Sequence, residues 1–212
     1  GSCYGGNGLE VGRSCATDAS GHVYLAGTSP GATGTIIATT GSHQNTLAGD
    51  DDAFLVKLNG GGVRQWGTYY GGTGVDIAYS CATDAQGNVF MTGVTTSTAG
   101  TGISTGGAHQ VAHGGGGFET YLVKFNSSGI RQWGTYYGGT GNENWYPACA
   151  ADAFGNVYLS GTTTSTNGTA ISTTGSHQSS YGGGPTNAYL VKFNSSGVRQ
   201  WGTYYGCGGP FD

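Results

Sequence analysis

Carboxylates recur beside glycine in three places. Glu10, Asp76 and Glu143 each stand two residues after the last Gly of a GGNG or GGTG run, and their neighbours vary: Arg13 in the first stretch, Tyr79 in the second, Asn144, Trp145 and Tyr146 in the third. Aromatic rings beside carboxylates and amides can stack on a sugar ring and hydrogen-bond its hydroxyls, so these eight residues form the candidate ligand-binding set. The alternative is structural, each carboxylate pinning its Gly-rich loop to a neighbouring unit, because buried polar groups are paired. Asp50, Asp51 and Asp52 are a second cluster. Adjacent carboxylates repel and need water or a cation. A solvated loop satisfies that need, and a Ca²⁺ site would require further oxygens to reach about six to eight ligands. Apart from Ca²⁺, no cofactor is expected.

The remaining reactive residues read as structural. His43, His109 and His177 recur 66 and 68 residues apart in GSHQ or GAHQ, a spacing that suits repeated packing better than convergence on one metal at about 2 Å. His22 and His113 are unrepeated. Asp18, Asp84 and Asp152 sit where hairpin turns are expected and accept backbone hydrogen bonds there. Cys15, Cys81 and Cys149 read as buried small hydrophobes, three thiolates around a channel metal being the alternative. Cys3 and Cys207 lie outside that repeat and are a candidate disulfide, closing a ring or joining two copies. No nucleophile and base stand out from the repeated background, so an enzyme is not expected.

Internal repetition decides which elements position these residues. RQWGTYYGG occurs at 64–72 and 131–139, and at 199–206 up to Cys207, with Trp66, Trp133 and Trp201 spaced 67 and 68 residues apart. Three modules follow, at 4–70, 71–137 and 138–206. In the second, Ser80–Ala85 and Asn88–Gly93 flank a turn with Gly87 at its left-handed position, and 120–126 and 130–137 flank an SSG turn. A long Gly/Thr/Ser-rich connection, 94–119, separates the hairpins and is expected to emerge on one face with the loops that carry the carboxylates. Helical periodicity is absent. Four short strands per module describe an all-β chain of propeller blades.

Composition supports this. Gly supplies 45 of 212 residues, charged residues 8% and aromatics 12%, a mixture that suits many tight turns around recurring buried rings. The net charge of −4, with basic residues dispersed at repeat positions, excludes a nucleic-acid surface. No apolar run reaches membrane-spanning length, so membrane insertion is not expected, and no signal peptide is visible.

The order AYLVKFNSSGVRQWGTYYGG, an acidic residue, SCATDAxGNVYLxGTT, then TTGSHQ resembles the SBBP family of β-propeller repeats across essentially the whole chain. The resemblance implies a non-catalytic blade array from a large secreted or cell-surface protein of a bacterium, with SCATDA innermost and RQWGTYY outermost. This chain departs from the family in placing Cys where Ile is usual and His where Tyr is usual. It also implies three four-stranded antiparallel blades forming part of a larger ring, completed by further blades of the same parent chain or by a second copy. Two functions compete: a non-enzymatic module binding a glycan or surface protein through its loop face, or a structural spacer with no ligand of its own.

Overall fold

A computed structural model describes residues 9–31, 37–98, 102–143 and 146–208. The first blade contains β1 (Val11–Thr17), β2 (Val23–Pro30), β3 (Asp51–Leu58) and β4 (Arg64–Tyr70). The second contains β5 (Asp76–Thr83), β6 (Val89–Thr95), β7 (Glu119–Phe125) and β8 (Arg131–Tyr137). The third contains β9 (Ala148–Ala151), β10 (Val157–Thr163), one helical turn α1 (Gly168–Ile171), β11 (Asn187–Phe193) and β12 (Arg199–Tyr205). Each blade is one antiparallel sheet with its strands in chain order. α1 is the departure from the expected absence of helix; four residues are too few to leave a period in the sequence.

Side-chain capture of the backbone fixes the turns. Asp84 Oδ1 accepts from the amides of Gln86 (3.0 Å) and Asn88 (2.9 Å), and Gly87 takes φ 76°. Asn126 Oδ1 does the same with Ser128 and Ile130 at 3.0 Å, ahead of Gly129 at φ 80°. A short acceptor two residues before the turn centre replaces an unmade backbone bond, and glycine removes the Cβ clash of a positive φ.

Among the described residues the long connections do not form an open loop face. Each folds back along its outermost strand: Thr105 N donates to Gly134 O at 2.9 Å and Tyr136 N to Gln110 O at 3.1 Å, with equivalents at Thr39 and Tyr69 and at Thr173 and Tyr204. An outermost strand otherwise presents unpaired amides and carbonyls to solvent, and this drape satisfies them.

Innermost strands of consecutive blades are neighbours, β1 against β5 and β5 against β9. Cys81 N donates to Ser14 Oγ at 3.1 Å and Cys149 N to Ser80 Oγ at 3.2 Å. Cys81 is buried and Cys149 half-buried, but Cys15 is exposed, because no described blade lies on its side of β1. The expectation of three buried cysteines therefore holds for Cys81, in part for Cys149 and not for Cys15. Burial pushes the Cys81 thiol up to about 11 and the Cys149 thiol up to about 12. In native protein at neutral pH both should resist iodoacetamide and react on unfolding, as mass spectrometry of the labelled chain would show.

Candidate functional site

Two regions collect chemistry-bearing side chains: the junctions between blades and the start of the innermost strands. At the junctions the carboxylates meet in pairs. The point a Cβ on Gly71 would occupy lies 2.5 Å from Asp52 Oδ1 and 2.7 Å from Asp76 Oδ2, so the Asp52 carboxyl of the first blade faces the Asp76 carboxyl of the second across a glycine. Glu119 and Glu143 face one another across Gly138 in the same way. All four are fully buried.

Asp76 Oδ2 accepts from Gly72 N (2.7 Å) and Ser97 Oγ (2.9 Å). Glu143 accepts from Thr163 Oγ1 (2.6 Å), Ser165 Oγ and Gly139 N. These two carboxylates thus pin the Gly-rich loops to the blades, and neither presents an oxygen to solvent. Glu10 is half-buried with Ser29 Oγ 3.5 Å away.

Burial dominates the titration. It pushes Asp52 up to about 6 and Glu119 up to about 8 against the opposing pull of their hydrogen bonds, and it raises Asp76 and Glu143. The Asp76 charge adds to the shift at Asp52, and the Glu143 charge to that at Glu119. Oδ1 of Asp52 and Oδ1 of Asp76 have no hydrogen-bond partner. Holding a proton on Asp52 relieves the repulsion between the two carboxyls.

The Asp50, Asp51 and Asp52 cluster does not converge. Asp51 and Asp52 are consecutive on β3 and so point to opposite faces. Asp52 turns into the junction, where it takes hydrogen bonds from Ala48 N (2.8 Å) and Gln44, while Asp50 is exposed. Among the described residues no three His, Cys, Asp or Glu side chains gather to hold a metal. The histidines pack: His43 lies 6.0 Å from the Tyr70 ring and 5.8 Å from Phe125 of the next blade, and His109 repeats this with Tyr137 and Phe193. Desolvation lowers both to about 4, so they are neutral spacers.

Gln44 and Gln110, which carry no expectation in the sequence, prove central to the two junctions. The Gln110 side chain donates to Glu119 and to Ala112 O (3.0 Å) and accepts from Gly138 N (3.1 Å). Gln44 repeats the pattern with Asp52, Thr46 and Gly71. The signal was present in the sequence, since Gln follows His in every copy.

The second region is exposed. A register shift between Gly12 and Ser14, and another between Ala78 and Ser80, eject Arg13 and Tyr79 from the ladder of β1 and β5. A bulge re-aims one side chain without ending the strand. The Arg13 guanidinium carbon sits 5.2 Å from the Tyr79 ring centroid, and Tyr146 meets the same ring edge-on at 5.1 Å. Tyr146 is 72% exposed and is a non-glycine residue with φ 42°. Arg13, Tyr79 and Tyr146 therefore form one cation–aromatic strip crossing three consecutive blades. Asn144 and Trp145 lie outside the described residues, as does Cys3 of the expected Cys3–Cys207 disulfide; Cys207 is exposed.

Three four-stranded antiparallel sheets with adjoining innermost strands define a set of propeller blades. Residues 65–99, from β4 across the first junction to just beyond β6, match the SBBP family, described as Beta-propeller repeat. No curated protein matches the chain.

Proposed function

We propose that this propeller module is a non-enzymatic binding unit of a secreted or cell-surface bacterial protein, taking a glycan through the strip made by Arg13, Tyr79 and Tyr146. The observation that carries this reading is the strip itself. Three blades of nearly one sequence differ around this point, and Arg13, Tyr79 and Tyr146 form one continuous, at least partly exposed surface. A partly exposed Tyr face stacks on the apolar face of a sugar ring, and a guanidinium offers donors to its hydroxyls. The packing of the blades does not require Tyr146 to be exposed, since exposed aromatic area is unfavourable unless a partner covers it. The secreted setting and the absence of catalysis rest on the SBBP resemblance. No calcium is invoked, because the acidic cluster diverges.

The test is a glycan array probed with the chain, followed by titration of the best saccharide against Tyr146→Ala, Trp145→Ala and Arg13→Ala. Stacking on one aromatic is worth about 0.5–1.5 kcal/mol, so Tyr146→Ala should weaken binding roughly two- to tenfold with the thermal midpoint unchanged. Full affinity in all three variants removes the strip as the site, and an array with no binder favours the spacer reading.

A further inference from the structure

Most of the cations in this chain are committed to its own backbone. Lys57 and Lys124 donate across the junctions to Ser127 O (3.1 Å) and Ser195 O (3.2 Å), alongside the indoles of Trp66 and Trp133, and lie 3.8 and 3.7 Å from Asp18 and Asp84. Arg64, Arg131 and Arg199 donate to Ile37 O, Gly102 O and Ala170 O at 3.4, 3.0 and 2.9 Å. Arg13 differs from all of these. It is exposed, it stands where the other blades have Tyr79 and Pro147, and among the described residues it makes neither a hydrogen bond nor an ion pair. Glu10, the acid nearest to it in sequence, meets Ser29 instead.

A guanidinium presents five N–H donors in a planar fork that matches the two oxygens of a carboxylate or sulfate. Here the fork is held in place. Its carbon lies 5.2 Å from the Tyr79 ring centroid, and a cation resting on an aromatic face loses less freedom when a ligand arrives. Arg13 leans toward the second blade, so both rings beyond it in the strip belong to this chain. On the far side of Tyr79, the Tyr146 ring is 72% exposed. The strip therefore offers a charge at one end and an apolar face at the other, one ring apart. A neutral sugar engages the apolar face and leaves the guanidinium to water, whereas a sugar chain carrying an anionic group engages both.

We propose that the strip selects acidic saccharides, Arg13 taking a carboxylate or sulfate on one sugar while an adjoining sugar stacks on Tyr146. This rests on the strip being the binding site, and adds to it the charge of the ligand and the residue that recognises it. The net charge of the chain is −4, so attraction of an anion comes from this local contact and not from the overall field.

An array of matched pairs tests the proposal: oligomers of galacturonate and galactose, oligomers of glucuronate and glucose, sialyllactose and lactose, sulfated and unsulfated galactans. Acidic members should bind on the order of tenfold more tightly than their neutral partners, as a charge-assisted contact allows, and the carboxylated and sulfated arms show which anion fits the fork. Arg13→Ala should erase the preference at an unchanged thermal midpoint. Arg13→Tyr, which gives the first blade the residue the second already carries, should do the same and decides the matter if Arg13→Ala fails to fold. Arg13→Lys keeps the charge without the fork and should retain only part of the preference, while Tyr146→Ala should weaken both members of a pair and preserve their ratio. Raising salt from about 0.05 to about 0.5 M should weaken the wild-type chain's binding and leave that of Arg13→Ala unchanged. Equal affinity within every pair, still sensitive to Tyr146→Ala, overturns the selection of acidic sugars and leaves the strip as the site. A preference that survives both Arg13→Ala and Arg13→Tyr overturns the assignment to Arg13, and no binding to any pair overturns the selectivity and the site together.

Discussion

Trp133→Ala should destabilise the chain by about 3–5 kcal/mol, measured by urea unfolding with the slope held in common. The indole is 9% exposed, packs at 6.5 Å on Phe193 and at 6.1 Å on Phe90, and donates to Ser195 O. Its loss removes a buried aromatic surface and leaves the third blade's turn carbonyl with Lys124 as its remaining junction donor. A second variant tests the same contact from the other side. Gly197→Ala meets both a positive φ of 79° and the Trp133 ring at 2.8 Å, so it too should destabilise, and by less than additively when combined with Trp133→Ala, since both act on one contact. A Trp133→Ala loss below about 1 kcal/mol would show that the blades hold together by other means.

Stability should fall as pH rises from about 7 to about 9, by on the order of 1 kcal/mol. The sign follows from the direction of the shifts. Asp52 and Glu119 keep their protons in the folded state to about pH 6 and about pH 8, well above their ordinary values of 3.8 and 4.5. Above about pH 7, where histidines are neutral in both states, the folded chain therefore binds more protons than the unfolded chain; below it the depressed His43 and His109 act in the opposite sense. The contribution is fully present below the unfolded values and is lost as pH climbs through the folded ones. His113, whose Nδ1 lies 3.2 Å from Glu119 Oε2, is pushed down by desolvation and stays neutral across the window.

Glu119→Gln should flatten the profile, and both it and Asp52→Asn should preserve the fold, because the third blade already carries an amide at this position. Asn187 Oδ1 accepts from Gly182 N at 2.6 Å and its Nδ2 donates to Gly183 O at 2.9 Å, a pattern like that around Glu119. Thermal midpoints across the pH range check this; a rise in stability toward about pH 9 would reverse the assignment.

The blades were legible in the sequence because their determinants are local or exactly repeated. RQWGTYY alternates its side chains across a strand, and Asp84 with Gly87, or Asn126 with Gly129, encodes its turn within four residues. The carboxylate pairing was not legible. Asp52 and Asp76 are 24 residues apart and meet only once two blades stack, so each read alone as a loop acid. The drape along β8 escaped for a related reason: its partner, Gly134 O, is remote in sequence and the connection has no period of its own. Of the expected ligand set, the acids Asp76 and Glu143 moved to the interior, while Arg13, Tyr79 and Tyr146 converged on the surface. That convergence depends on two β-bulges, which composition and spacing do not announce.

Hydroxyl-radical footprinting of the chain with and without a saturating saccharide identified on the array tests the binding account most directly. The account predicts protection at Tyr79 and Tyr146, with Trp66 and Trp133 unchanged because they are committed to the junctions. Protection confined to other residues, with Tyr146 as reactive in the complex as in the free chain, would contradict it.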